Sequence, residues 1–239
     1  NDPRILEADP SIQSEIEQPA TRVQAQVAAL WVLGNLFVFG MLMSVVEYYL
    51  FLFAEKELGA STDLMGYATL IMTMSEVPWF CFADRILVIF PLKWVFVVTE
   101  ASFAIRTLCY TLIPRSHPWL LLLLEPFHGM NFALMWSAAV QAGIHFAPKG
   151  VESTYQGAIN AAYQGFGMAV GAVLGGIIFQ SLGSVFLFRL TAFIAVVWCI
   201  ILALFFPSHS FYRYRKHPFL TVPEYVLPKE GEETQVHYH

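Results

Sequence analysis

The sequence predicts an all-α, polytopic membrane protein built as a bundle of six transmembrane helices, and three observations support this class. Apolar residues make up 57% of the 239 residues. The 13 basic and 18 acidic residues are concentrated towards the two ends and leave a middle that is almost continuously apolar. That middle divides into six stretches of about 20 residues or more, the length that a helix needs to cross a bilayer.

The same composition excludes several other classes of protein. A soluble domain, a nucleic-acid binder or a disordered chain needs a polar surface that the middle of this chain lacks. The cysteines, Cys81, Cys109 and Cys199, are widely spaced in apolar segments, which is typical of neither a disulfide framework nor a metal site. Because no metal cluster or nucleophile and base pair emerges, we predict no enzyme, no metal and no cofactor, and we expect no nucleic-acid partner.

The six predicted spans cover residues 27–54, 62–83, 91–113, 118–146, 154–180 and 184–206. The breaks between them contain glycine, proline, serine and aspartate, which favour turns and helix ends. Short connections make successive helices antiparallel neighbours in a compact bundle. Residues 1–26 are predicted to be a cytoplasmic linker, and residues 207–239 a disordered cytoplasmic tail.

The distribution of basic residues predicts the orientation, because short basic loops stay preferentially on the cytoplasmic side. One set of helix ends holds Arg4, Arg22, Arg85, Lys93, Lys149, Arg213, Arg215, Lys216 and Lys229. The opposite set holds only Lys56 and Arg115. We therefore predict that both termini are cytoplasmic and that the protein contacts a lipid bilayer, although the sequence does not identify which membrane.

Charged residues inside the predicted spans are the first candidates for function, because a lipid-facing charge costs roughly 3 kcal/mol. They are Glu47, Glu76, Glu100, Arg106, Glu125 and Arg189. Counting along the helices places Arg106 and Glu125 in the outer half of neighbouring spans, which predicts an ion pair between them. Such a pair lies on a ligand or proton pathway, or else only holds two helices together. Arg189, near the end of its span, is predicted to reach the lipid headgroups.

The fourth span carries a polar stripe of Glu125, His128 and Asn131, which are spaced by three residues. An imidazole beside a carboxylate can relay protons, so this stripe is a candidate for proton coupling. The same counting places Glu76 in the inner half of the second span. Glu47 counts towards the outside, where it is a candidate for lining a cavity.

Two of the acidic residues precede prolines, in Glu76-Val77-Pro78 and Glu125-Pro126. A proline removes a helical hydrogen bond, so we predict that both helices bend beside an ionisable side chain.

The fifth span contains two further patterns. A four-residue ladder of small residues favours close helix packing: Gly167, Gly171 and Gly175. A polar stripe with the same spacing could line a cavity: Gln156, Asn160 and Gln164.

Short motifs in chain order also carry a family resemblance. They are LFLF at 50–53, ELGAS at 57–61, MSEVPWF at 74–80, IRTLCY at 105–110, LEPFHGMNFA at 124–133, YQG at 155–157 and GAVLGG at 171–176. Together they resemble the C-terminal half of a major facilitator superfamily transporter. The nearest branch is the "major facilitator associated" family, which is similar to the lactose and nucleoside proton symporters. Asp84 and Arg85 resemble a degenerate copy of the cytoplasmic loop motif that locks neighbouring helices of this superfamily.

The resemblance implies that the six spans are helices seven to twelve of a twelve-helix protein. Glu76, Arg106, Glu125 and His128 then fall on helices that carry proton-coupling and substrate contacts in the sugar symporters. This sequence departs from that pattern, because its acid precedes the histidine in the fourth span. Since the chain begins with Asn1 rather than methionine, we expect that a first six-helix bundle precedes it.

Two functions are compatible with these observations. The first is one half of a proton-coupled secondary transporter, which moves a small polar solute such as a sugar or nucleoside by alternating access. The second is a non-transporting receptor or assembly subunit that keeps the transporter scaffold.

Overall fold

A computed structural model describes residues 22–147 and 151–207 of the chain. These residues form six long helices: α1 (Arg22–Phe53), α2 (Thr62–Ile89), α3 (Leu92–Tyr110), α4 (Pro126–Phe146), α5 (Glu152–Leu182) and α6 (Ser184–Phe205). The two described ranges contain no strand, so the predicted all-α class is confirmed. Most of the predicted linker, residues 1–21, and the predicted tail from residue 208 onwards lie outside the described residues, as does Lys149 in the loop before α5.

Three short segments differ from a regular α-helix. α1 continues into a π turn, Ala54–Leu58, and a 3₁₀ helix, Pro118–Leu123, precedes α4. Inside α5, a π segment at Ala161–Gly167 separates two α-helical parts, Glu152–Asn160 and Met168–Leu182. Wide π turns are rare, and they are frequently found at functional sites.

The helix ends follow from local sequence chemistry. Gly59 adopts a left-handed conformation, with φ of +66°, and its N–H bonds the carbonyl oxygen of Glu55 at 3.2 Å, which closes the first helix. The side chain of Ser61 then accepts a hydrogen bond from the N–H of Leu64 and starts α2. Between α5 and α6, Gly183 has a φ of +88°, a conformation that residues with a Cβ rarely adopt. The connections from α1 to α2 and from α5 to α6 are therefore short, so the helices of each pair run antiparallel.

α1 lies at the centre of the bundle and packs against α4, α5 and α6. Leu36, Phe39 and Met43 on this helix are completely buried. α2 packs mainly against α4, and α3 packs against α4 and α6. A buried amide adds a polar link, because Asn35 accepts a hydrogen bond from the indole N–H of Trp198 at 2.9 Å.

The glycine ladder of α5 lies directly against the backbone of α1. A Cβ added to Gly167 would lie 2.7 Å from the carbonyl oxygen of Phe37. At Gly171 it would collide with the carbonyl oxygen of Met41 and the hydroxyl of Ser44. Small residues therefore set the distance between the two helices.

Three helical stretches of the described residues are long and apolar enough to cross a membrane: Gln26–Leu58, Glu152–Leu182 and Ser184–Phe205. These stretches correspond to the first, fifth and sixth predicted spans. α2, α3 and α4 occupy the positions of the other three and pack with them in one bundle.

The fourth span differs from its prediction. The sequence predicted one continuous helix over residues 118–146 with a bend at Pro126, but the chain forms a 3₁₀ helix, a break, and then α4. Pro126 is the first residue of α4, where its missing N–H leaves no helical hydrogen bond unmade. Glu125 therefore lies at a helix start. Pro78, in contrast, lies inside α2.

Candidate functional site

Three ionisable side chains from three helices converge in the bundle. The Nε2 atom of His128 on α4 lies 3.5 Å from Oε1 of Glu47 on α1 and 3.8 Å from Oε1 of Glu76 on α2. The His128 side chain is 3% exposed, whereas those of Glu47 and Glu76 are 34% and 23% exposed. One buried imidazole thus faces two carboxylates that remain partly accessible; we call this group the acid–histidine cluster.

A glycine brings two of these helices close enough for the contact. A Cβ on Gly129 would collide with Ser75 and would lie 2.6 Å from the backbone nitrogen of Glu76. Because Gly129 follows His128 directly, its missing side chain brings the imidazole of α4 to the carboxylate of α2. Gly129 lies in the motif LEPFHGMNFA at 124–133, but the sequence alone did not indicate that it allows α2 and α4 to approach closely.

The level of Glu76 differs from the prediction. Counting placed it in the inner half of its span, but the contact with His128 places it beside Glu47. The reason is the length of α2, which extends to Ile89 rather than residue 83. Glu76 therefore lies near the middle of its helix.

A second, more deeply buried group lies on α3 and at the start of α4. The hydroxyl of Tyr110 donates a hydrogen bond to Oε1 of Glu125 at 3.0 Å. The guanidinium of Arg106 lies over the rings of Phe103 and Tyr110, at 5.4 and 5.8 Å from the ring centres. Both distances suit cation–π attraction. We call Arg106, Tyr110 and Glu125 the arginine–tyrosine cluster.

The predicted ion pair between Arg106 and Glu125 is not formed. No nitrogen of Arg106 lies within 4.0 Å of a carboxylate oxygen of any described residue. Tyr110 takes the place of the arginine as the donor to Glu125, while Nη2 of Arg106 lies 3.9 Å from the sulfur of Met43. A tyrosine four residues after Arg106, on the same face of a helix, is a sequence signal that could have revealed this arrangement.

Several buried polar atoms in and beside these clusters have no hydrogen-bond partner among the described residues. They are Nε and Nη1 of Arg106, Oε2 of Glu125, Nδ1 of His128, and both amide atoms of Asn131. Buried polar groups are normally paired, so each such atom needs an explanation, for example a ligand or a water molecule. The arrangement leaves both donors and acceptors available inside the bundle.

A cavity of about 170 Å³ between α1 and α2 is lined by one carboxylate from each cluster. Both Glu47 and Glu125 line it, together with Val46, Leu50, Thr69 and Met72. The volume is enough for several water molecules, and the two carboxylates supply polar partners for them. The cavity therefore provides space for water between Glu125 and Glu47 of the acid–histidine cluster.

Aromatic rings extend the site along α4. The rings of His128 and Phe132 stack at 6.5 Å, and those of Phe132 and Trp136 at 6.3 Å. Tyr163 on α5 lies 5.8 Å from Trp136. Such rings can bind an apolar or planar face of a ligand.

The polar stripe predicted on α5 is divided between different environments. Gln156 donates a hydrogen bond to the carbonyl oxygen of Val140 on α4 at 3.0 Å. The amide of Asn160 bonds its own helix, through the carbonyl oxygen of Gln156, and Gln164 is exposed. Of the three stripe residues, Gln156 alone therefore joins α5 to α4 by a hydrogen bond.

The loop motif also contacts a neighbouring helix. Asp84 accepts a hydrogen bond from Nε2 of Gln141 on α4 at 3.2 Å, and Arg85 lies over the ring of Phe82 at 6.0 Å. The sequence did not point to Gln141, the partner that ties α2 to α4 here. Among the described residues, no group of three histidine, cysteine or acidic side chains is arranged to hold a metal ion.

Replacing Glu100 on α3 with methionine is expected to stabilise the protein by about 1–3 kcal/mol, the cost of an unsatisfied buried polar group. Both carboxylate oxygens of Glu100 are buried and have no hydrogen-bond partner among the described residues. Thermal unfolding of the purified protein in detergent measures the change. The matched control is Glu55→Met, at an exposed position where the effect should stay within about 0.5 kcal/mol. A lower melting temperature for Glu100→Met than for the wild type would contradict this account.

The six-helix bundle and the charged side chains held in its interior define a class, the polytopic helical membrane proteins with ionisable groups inside the bundle. The sequence profile of the MFS_1 like family matches residues 3–190, and the chain belongs to that family. Its family and its long apolar helices make it an integral membrane protein in contact with a lipid bilayer.

Two similar proteins come from Xenopus laevis. They are the "Major facilitator superfamily domain-containing protein 6-like protein A", 24% identical over 174 residues, and the corresponding protein B, 22% identical over the same length. Each alignment covers 73% of this chain and 28% of the relative. The chain therefore spans well under half of the length of the curated relatives that it matches.

Proposed function

We propose that this chain is the C-terminal half of a proton-coupled secondary transporter for a small polar solute such as a sugar or nucleoside. The observation that carries the proposal is the acid–histidine cluster, in which His128 lies within 4 Å of both Glu47 and Glu76. Intramembrane ionisable groups that face one another are typical of proton and substrate pathways. The proposal includes a preceding six-helix bundle, against which this one moves in alternating access.

The proton would be held and passed at named atoms. His128 can accept a proton on Nε2 and pass it to either carboxylate, because Nε2 lies within 4 Å of an oxygen of both Glu47 and Glu76. Glu125 can exchange a proton with this cluster through water in the cavity that both Glu47 and Glu125 line. Tyr110 holds Glu125 in place through its 3.0 Å hydrogen bond.

The solute would bind where hydrogen-bonding atoms and aromatic rings lie side by side. Glu47 and Glu76 are the accessible acceptors, and Phe132 and Trp136 supply the adjacent rings. Hydroxyl groups of a sugar or nucleoside suit the carboxylates, and its ring suits the aromatic side chains. Residues of the preceding six-helix bundle would supply the other contacts to the solute.

Substituting glutamine for Glu125 is expected to abolish the dependence of uptake on the pH gradient, because an amide cannot exchange a proton as a carboxyl does. The measurement is radiolabelled sugar or nucleoside uptake by the intact protein in proteoliposomes, with and without an imposed pH gradient. Tyr110→Phe is the matched variant, since it removes the hydrogen bond to Glu125 but leaves the carboxyl; uptake should fall while its gradient dependence remains. Glu125→Gln uptake that still follows the gradient would overturn the role of Glu125.

The burial of the arginine–tyrosine cluster favours the second candidate function, a receptor or assembly subunit that does not transport. Arg106 and Glu125 are each only 1% exposed, as in a purely structural cluster. In that case, neutralising both residues together should be tolerated better than neutralising either one, because the two opposite charges attract each other although they form no direct ion pair, and removing one leaves the other buried alone. Thermal unfolding of the two single variants and the double variant, together with the absence of solute flux in the wild type, would distinguish this function from transport.

A further inference from the structure

We propose that the groove between α3 and α6 binds one glycerophospholipid with a net negative charge, with the lipid phosphate at Arg189 and an acyl chain along the groove. This inference does not depend on the proposed transport function. It concerns a separate surface of the bundle, since no residue of either cluster lines the groove.

The groove has the size and chemistry of a binding site for an apolar chain. Its volume is about 440 Å³, within the range of roughly 300–1,000 Å³ that small-molecule sites occupy. Apart from Arg189, only apolar side chains and one cysteine line it. Ile105 on α3 and Phe193 on α6 line it and are 65% and 64% exposed, so the groove faces outward from the bundle.

Arg189 provides a cation at one end of the groove. Its Nε atom lies 3.4 Å from the hydroxyl oxygen of Thr111, which follows α3, and this contact holds the side chain between the two helices. No carboxylate of the described residues lies within ion-pair distance of Arg189. An arginine near the start of a membrane helix, with no carboxylate beside it, suits a phosphate, which accepts two of its hydrogen bonds at once.

The dimensions of the groove match one leaflet of the bilayer. Arg189 is five residues from the start of α6 at Ser184, so it lies about 8 Å from that helix end. The groove continues along α6 to Ile200, roughly 16 Å deeper. A leaflet contributes about half of the 30 Å hydrocarbon core, so an acyl chain attached to a headgroup at Arg189 fits this length.

The test is native mass spectrometry of the intact protein after extraction from nanodiscs that contain equal amounts of phosphatidylglycerol and phosphatidylcholine. We expect the wild type to retain one phosphatidylglycerol molecule. Arg189→Gln should lower that retention about tenfold, as expected for the loss of hydrogen bonds to a charged group. Arg115→Gln is the matched control, because Arg115 is an exposed arginine near the same helix ends that does not line the groove.

A second variant tests the apolar part of the site. Ala101→Phe places a ring in the deep end of the groove, where Ala101 is a lining residue, and should also reduce retention. The melting temperature of each variant separates lost binding from lost folding. Equal retention of the two lipids, a wild-type level of phosphatidylglycerol in Arg189→Gln, or the same loss in Arg115→Gln would each overturn the proposal.

Discussion

Replacing His128 with asparagine is expected to lower proton-driven accumulation of the solute by about a hundredfold, the lower end of what a positioned proton-transfer group contributes to a reaction. Asparagine keeps a polar side chain of similar size but cannot take up a proton. In the wild type, Glu47 and Glu76 lie 3.5 and 3.8 Å from Nε2 of His128. The variant therefore lacks the side chain that could pass a proton between these two carboxylates. Proteoliposome uptake with an imposed pH gradient measures the effect.

Two controls make this result specific. His117→Asn changes an exposed histidine in the connection after α3, and uptake should remain at the wild-type level. Exchange of labelled for unlabelled solute, which needs no net proton movement, should survive in His128→Asn. If accumulation and exchange disappear together while the protein stays folded, His128 serves solute binding instead of proton coupling. If accumulation is unchanged, the acid–histidine cluster does not couple protons.

Introducing leucine at Gly171 is expected to destabilise the bundle by about 3 kcal/mol or more, because a packed interior cannot accept the added volume without shifting. Even the Cβ of the new side chain would collide with the carbonyl oxygen of Met41 and with Ser44. A backbone oxygen of α1 cannot rotate away as a flexible side chain can. The melting temperature in detergent and the yield of monodisperse protein measure the effect.

The matched control lies on the same helix. A Cβ at Gly157 would meet no atom of the described residues within 4 Å, so Gly157→Leu should leave the melting temperature close to the wild-type value. Because leucine favours a helix more than glycine does, helix propensity cannot explain a loss, and equal losses at both positions would mean that the substitutions do not act through the contact of α5 with α1.

The positions of the helices could be predicted from the sequence, because the length of an apolar stretch and the turn residues that follow it are local properties. Gly59, Ser61 and Gly183 end or start helices for reasons visible in the sequence. Helix boundaries that depend on packing could not be predicted. α2 continues past residue 83 to Ile89, and the fourth span is broken before Pro126.

These boundary differences explain what was wrong about the site. Depth was counted from span ends, so the longer α2 moved Glu76 from the inner half to the level of His128. The ion pair of Arg106 with Glu125 was predicted from opposite charge and similar depth, but side-chain direction decides which groups touch. Tyr110, one helical turn from Arg106, reaches Glu125 first. The candidate residues themselves could be predicted, because each is a charged or polar residue inside an apolar span. Their contact partners could not, because these depend on how the helices pack against one another.

The π segment at Ala161–Gly167 has a consequence for how α5 packs against its neighbours. An α-helix turns about 100° for each residue, so one inserted residue would normally redirect every side chain beyond it. A wide turn accommodates such a residue within itself. The segment before it, where Gln156 bonds α4, and the segment after it, where Gly171 and Gly175 lie against α1, are therefore free to keep separate registers. The wide turn thus lets the contact with α4 before it and the contact with α1 after it follow two different helical phases within one helix.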